Sequence, residues 1–135
     1  RQMAEHGTAI GSARQDTVAA LADAADGAPE GAFARARVSL DGWAPDGVEG
    51  FAAALAAARR TDTAAGRATL GPQRTDLAVV HAGKGQAAAL CSTGEQKALL
   101  LGMVLAHAGL VAERTGRVPV LLLDEVAAHL DARRR

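Results

Sequence analysis

Residues 118–125 constrain this chain more than any other stretch. Val118-Pro119-Val120-Leu121-Leu122-Leu123 is apolar without interruption and runs straight into Asp124-Glu125. Six apolar residues in a row have the composition of a central strand covered on both faces, which places the chain in the α/β class. Two carboxylates then leave the strand at its exit, where open α/β sheets set their ligands. An aspartate there can hold Mg²⁺ directly or through water, and the acid after it can polarise a water that attacks a γ-phosphate. The plainer reading is that an apolar strand must end in something polar.

Upstream lies a long helix, residues 92 to about 114, whose stretch 98–106 is apolar nearly all round and is expected to be buried on most sides. Ser92-Thr93-Gly94-Glu95-Gln96 opens it. Ser92 suits the N-cap, and Glu95, three residues on, suits the reciprocal partner of a capping box. A glycine beside a serine at a helix start also lets a phosphate approach bare backbone N–H groups, assisted by the helix dipole. That is the physics of the signature motif of ABC ATPases, in which the turn contacts the γ-phosphate held by the opposite subunit. Asp124 and Glu125 then correspond to a Walker B pair. Asp131, preceded by Leu130 and seven residues beyond Asp124, matches the spacing of a D-loop.

The rest of the chain reads as short elements. Residues 12 or 16 to 25 form an Ala-rich helix with Val18, Leu21 and Ala25 on one face, stopping at Asp26-Gly27-Ala28-Pro29. The chain opens within what reads as the middle of a helix, as a piece of a longer protein would. Residues 34–40 alternate Arg35, Arg37 and Ser39 with Ala36, Val38 and Leu40, the period of a half-buried strand. Gly42 to Gly47 breaks the chain before a helix over about residues 48–60 that uses Phe51, Leu55 and Ala58. Residues 69–73 read as extended. Residues 77–81 and 86–91 flank Ala82-Gly83-Lys84-Gly85, the pattern of an antiparallel hairpin.

Composition sets limits. The chain has 135 residues, one domain in size, and Phe33, Trp43 and Phe51 are its only aromatics. Its core is therefore built from Ala, Leu and Val, which bury less area per side chain. Fifteen basic and fifteen acidic residues cancel, so no overall field recruits nucleic acid or an acidic membrane surface. The single cysteine, Cys91, excludes an internal disulfide and fits a reducing, intracellular compartment. No stretch approaches the ~18 to 20 uncharged apolar residues of a membrane span, and no signal pattern opens the chain.

A phosphate-binding loop is missing. No Gly-x-x-x-x-Gly-Lys-Ser/Thr occurs, and the two lysines, Lys84 and Lys97, fall in the hairpin turn and on the signature helix. His129 stands too close to the Walker B pair to be a switch histidine, which in ABC heads follows a further strand.

With these residues the chain resembles the C-terminal portion of the RecF family, bacterial ATPases related to the heads of structural-maintenance-of-chromosomes proteins. The likeness extends beyond the ATPase motifs. Arg59-Arg60-Thr61-Asp62, then Gly66-Arg67-Ala68-Thr69, then Gly71-Pro72-Gln73-Arg74-Thr75-Asp76-Leu77 resembles a family segment in the same order. Gln73 and Thr75 depart from the His and Asp usual there. Thr93 replaces the first glycine of the general ABC signature, where this family often has Arg, and Glu95 stands in place of Gln as in the chromosome-maintenance relatives.

The resemblance implies part of an ABC-type P-loop ATPase head, with signature helix, Walker B strand and antiparallel hairpin, plus the end of an arm subdomain. Residues 1–60 would be that arm end and residues 61–135 the signature and Walker B half. It implies a cytoplasmic parent that hydrolyses ATP slowly with Mg²⁺ and forms an ATP-dependent homodimer. That parent would bind single-stranded or gapped DNA and assist recombinase loading with other recombination mediator proteins, away from any membrane. By the same resemblance Asp124 would hold Mg²⁺, Glu125 would be the catalytic base, Ser92 to Gln96 would bind nucleotide in trans and Asp131 would form the D-loop. Three alternatives stand beside this reading: the head of another chromosome-maintenance or Rad50-like ABC ATPase, a non-catalytic module for DNA or protein interaction, and an Ala-rich α/β domain with capped helices and no chemistry.

Overall fold

The computed structural model describes residues 1–27 and 33–123. Among them the elements are α1 (Gln2–Asp26), β1 (Ala36–Gly42), α2 (Gly47–Ala65), a 3-10 turn (Pro72–Arg74), β2 (Thr75–His81), β3 (Gln86–Ala87), a second 3-10 turn (Ala88–Leu90) and α3 (Thr93–Thr115). The strands form one sheet in the order β1-β2-β3. β2 and β3 are antiparallel, with Val80 opposite Ala87 and His81 opposite Gln86. The chain is thus α/β, as its sequence pattern requires, with three helices and a small antiparallel sheet.

Two compact units make up the chain. The first comprises Arg1–Val18 and Leu40–Leu77. Its packing rests on two aromatics set against small residues. Trp43 and Phe51 lie with ring centroids 4.5 Å apart and planes tilted by 46°. Ala4, Gly7 and Gly11 are buried on one face of α1 at helical spacing. A Cβ on Gly7 would fall 2.4 Å from Phe51 Cε1, and one on Gly11 would fall 3.0 Å from Trp43 and Pro45. The glycines that weaken α1 by propensity are therefore what lets the aromatic pair reach it.

A second close approach lies at the end of β1. Gly42 has φ +97°, and a Cβ there would meet the Arg74 carbonyl oxygen at 2.2 Å. Beside it, the Thr75 hydroxyl donates to the Trp43 carbonyl at 2.6 Å.

The second unit comprises Ala19–Ser39 and Ala78–Arg135. Its buried side chains are Ala25, Ala36, Val38, Cys91, Ala98, Leu99 and Leu101. α3 is covered only in part: Ala98, Leu99 and Leu101 are buried, whereas Leu100 and Leu105 are exposed. The expectation of a helix buried on most sides over residues 98–106 is thereby corrected, since only three of these residues are buried and the others are half-buried or exposed among the described residues. By length and composition alone α3 is the one helix among the described residues that could cross a membrane, an 18-residue stretch of it reaching a mean hydropathy of 1.3, a test that the core helix of a soluble protein also passes.

Several boundaries differ from the sequence pattern, α1 beginning at Gln2 and not at residue 12 or 16, and α2 running on past residue 60 to Ala65. Residues 69–73 form no strand and lead into the 3-10 turn, where Pro72 fixes φ and lacks an N–H for a ladder. The strand expected over residues 86–91 ends after Ala87, because residues 88–90 close a 3-10 turn with the Cys91 N–H on the Ala88 carbonyl. The strand expected over residues 118–123 is absent: these residues carry no regular secondary structure. Val118, Val120 and Leu122 are 86%, 87% and 94% exposed, against 37% and 50% for Leu121 and Leu123. A strand exists only through pairing, and the one described sheet offers these residues no neighbour.

Candidate functional site

The turn at Ser92 is built by reciprocal capping. Ser92 has extended backbone, φ −62° and ψ 156°, and its Oγ accepts from the Glu95 N–H at 3.4 Å. Glu95 Oε2 accepts in return from the Ser92 N–H and from the Ser92 hydroxyl, both at 3.0 Å. Gln96 braces the turn from behind, its amide donating to the Cys91 carbonyl at 3.1 Å. The expected capping box is therefore present.

What the box leaves over is of more interest. The first N–H groups of a helix have no intrahelical acceptor. Ser92 and Glu95 satisfy one another, which leaves the N–H groups of Thr93 and Gly94 without a hydrogen-bond partner among the described residues. A Cβ built on Gly94 would meet nothing within 4 Å. Two donors at the positive end of a 23-residue helix thus face open space. Such an arrangement accepts an anion, and a terminal phosphate fits it in charge and donor type.

A cation stands beside this turn that the sequence pattern did not connect to it. Lys84, from the connection between β2 and β3, forms an ion pair with Glu95 Oε1. The connection is tight: the N–H groups of Lys84 and Gly85 both reach the His81 carbonyl, at 3.1 and 2.8 Å, with Gly85 at φ +62°. The hydrogen bond from Lys84, followed by those from the Ser92 N–H and hydroxyl, holds the Glu95 carboxyl down to about 2. The Lys84 ammonium is pushed up by the same pair. The only advance signal was the Gly-rich turn itself, because eleven residues of sequence separate two groups that the fold puts in contact.

Asp124, Glu125, His129 and Asp131 lie outside the described residues. Among the described residues no group of three metal-ligating side chains occurs.

The segment from Arg59 to Leu77 has a structural reading of its own. α2 ends in a left-handed Gly66, with the Gly66 N–H on the Thr63 carbonyl and the Arg67 N–H on the Asp62 carbonyl, the paired bonds of a Schellman cap. The Asp62 carboxylate then accepts from the Thr69 N–H at 2.8 Å and from its hydroxyl at 2.6 Å, which lowers the carboxyl below its usual range. Asp62, Gly66 and Thr69 are thus explained by the closing of a helix end.

No protein-family model matches the chain. Among curated proteins it is 51% identical over 144 aligned residues to the DNA replication and repair protein RecF of Mesorhizobium japonicum, covering 99% of this chain and 38% of that protein. The RecF of Brucella abortus gives the same figures, 51% with 99% and 38%. That of Rhizobium meliloti is 47% identical, covering 100% of this chain and 38% of its own length. The chain therefore spans little more than a third of the length of these relatives.

Proposed function

Because the chain belongs to the RecF family and corresponds to its C-terminal portion, we propose that it supplies the signature and Walker B half of an ABC-type ATPase head in a DNA replication and repair protein. Residues 1–60 form the end of the arm subdomain and residues 61–135 the half head. The turn from Ser92 to Gln96 completes the ATP site of a second protomer: Thr93 and Gly94 offer backbone N–H groups to the γ-phosphate, and Ser92 turns its hydroxyl proton from Glu95 Oε2 to the phosphate while its N–H and Oγ keep the capping box closed. Asp124 holds Mg²⁺, Glu125 takes the proton of the attacking water, and Asp131 lies in the D-loop between protomers. The parent protein forms a homodimer around ATP and Mg²⁺ in the cytoplasm. It binds single-stranded or gapped DNA there and assists recombinase loading together with other recombination mediators. The chain lacks the Gly- and Lys-containing loop that cradles the α- and β-phosphates, so turnover belongs to the whole protein.

The observation that carries this reading is the pair of N–H groups at Thr93 and Gly94 that have no partner among the described residues, with open space around Gly94. Glu125→Gln in the full-length protein is expected to retain ATP-dependent dimers while stopping hydrolysis, as read by sedimentation and phosphate release. Unchanged hydrolysis in that variant would refute the assignment of Glu125.

A further inference from the structure

Glu95 poses an electrostatic problem for the site just described. It closes the capping box with a carboxylate three residues from Ser92, within the same helix turn whose Thr93 and Gly94 N–H groups would receive a phosphate. A carboxylate there already uses the positive end of the helix, and it repels a second anion arriving beside it. The structure supplies a counter-charge at that carboxylate. Lys84 reaches Glu95 Oε1 from the β2–β3 connection, while Glu95 Oε2 serves Ser92. The carboxylate is divided between them, one oxygen holding the cap and the other holding the cation. The connection has little freedom to misplace the lysine, since two successive N–H groups tie it to the His81 carbonyl.

Resting on the reading of this turn as a nucleotide contact in trans, we infer that Lys84 is a positioning residue for it. Its ammonium cancels the charge of Glu95, so the capping box can stay closed while an anionic phosphate docks on Thr93 and Gly94. Lys84 acts through Glu95, and the sign of its effect depends on the carboxylate being present. A lysine that merely stapled the hairpin to α3 would matter with or without that charge.

The test uses the full-length protein in four forms: Lys84→Gln, Lys84→Arg, Glu95→Gln and the double variant Lys84→Gln/Glu95→Gln. The readout is the ATP concentration for half-maximal dimerisation, at low and high salt. Lys84→Gln is expected to raise that concentration about tenfold at low salt and less at high salt, the mark of one unscreened charge at short range. Hydrolysis at saturating ATP should hardly change. Lys84→Arg should restore the wild-type concentration, and adding Lys84→Gln to Glu95→Gln should have no further effect. An equal loss from Lys84→Gln in both backgrounds, or none in either, overturns the inference. Gly94→Asp separates the two levels of the argument. If it abolishes ATP-dependent dimerisation while Lys84→Gln is neutral, only the role of Lys84 falls; if Gly94→Asp is neutral, the reading of the turn falls and that of Lys84 with it.

Discussion

The start of α3 and the apolar run at residues 118–123 were the two strongest signals in the sequence, and the fold treats them in opposite ways. The helix start is complete within the chain. Its cap, its brace from Gln96 and its counter-ion Lys84 all come from residues 81–96. Among the described residues the apolar run has no strand beside it, and Val118, Val120 and Leu122 stand almost fully exposed. A turn is stabilised by hydrogen bonds a few residues apart, whereas a buried strand is defined by neighbours distant in sequence. A chain spanning 38% of its relatives' length can therefore carry a finished helix start next to an apolar run that has no strand partner among the described residues.

The largest effect should come from challenging the strand. In the full-length protein Leu122→Asp places a charge where a covered strand is expected and should lower stability by about 3 kcal/mol or more. In the isolated chain, where Leu122 is 94% exposed, the same substitution should change stability by no more than about 0.5 kcal/mol. Urea unfolding of both proteins measures the contrast. Equal effects in the two would mean that the run is not a strand completed by the rest of the head.

Ser92→Ala should act in both contexts alike. It removes the acceptor for the Glu95 N–H and the donor to Glu95 Oε2, costing about 1 kcal/mol. A loss confined to the full-length protein would show that the turn depends on distant neighbours after all.

The smallest effect is a pH dependence. Glu95 is held at about 2 against an ordinary value of 4.5. A depressed carboxyl contributes stability above its unfolded value and loses that contribution as pH falls through the folded one. The stability of α3 should therefore decline between pH 4.5 and 2 by more in the wild type than in Glu95→Gln. Circular dichroism melts across that window would show parallel curves if the ion pair and capping box did not form.

The features read correctly from sequence are those with local causes. Ser92 and Glu95 are three residues apart, and their capping box follows from spacing alone. The tight turn at residues 82–85 was legible from Gly83 and Gly85 for the same reason. Other features were hidden by interactions between distant residues. The reason for Gly7 and Gly11 in the first half of α1 is one of these, since only the close approach of Phe51 and Trp43 explains them. Lys84 looked like an ordinary turn cation, because its partner lies eleven residues away on another element. The exposed flank of α3 was likewise invisible, since an all-round apolar helix states what could be covered and not what covers it.

The central claim is that the Ser92–Gln96 turn completes an ATP site on another protomer, and it is best tested with mixed dimers. One full-length protein carries Gly94→Asp; a second carries a disabling substitution in the phosphate-binding loop expected in the remainder of the head. Neither should hydrolyse ATP alone. Mixed together they should recover Mg²⁺-dependent hydrolysis, because the intact loop of the first then meets the intact turn of the second. Normal hydrolysis by the Gly94→Asp protein alone, or a mixture that forms dimers yet stays inactive, would contradict action in trans.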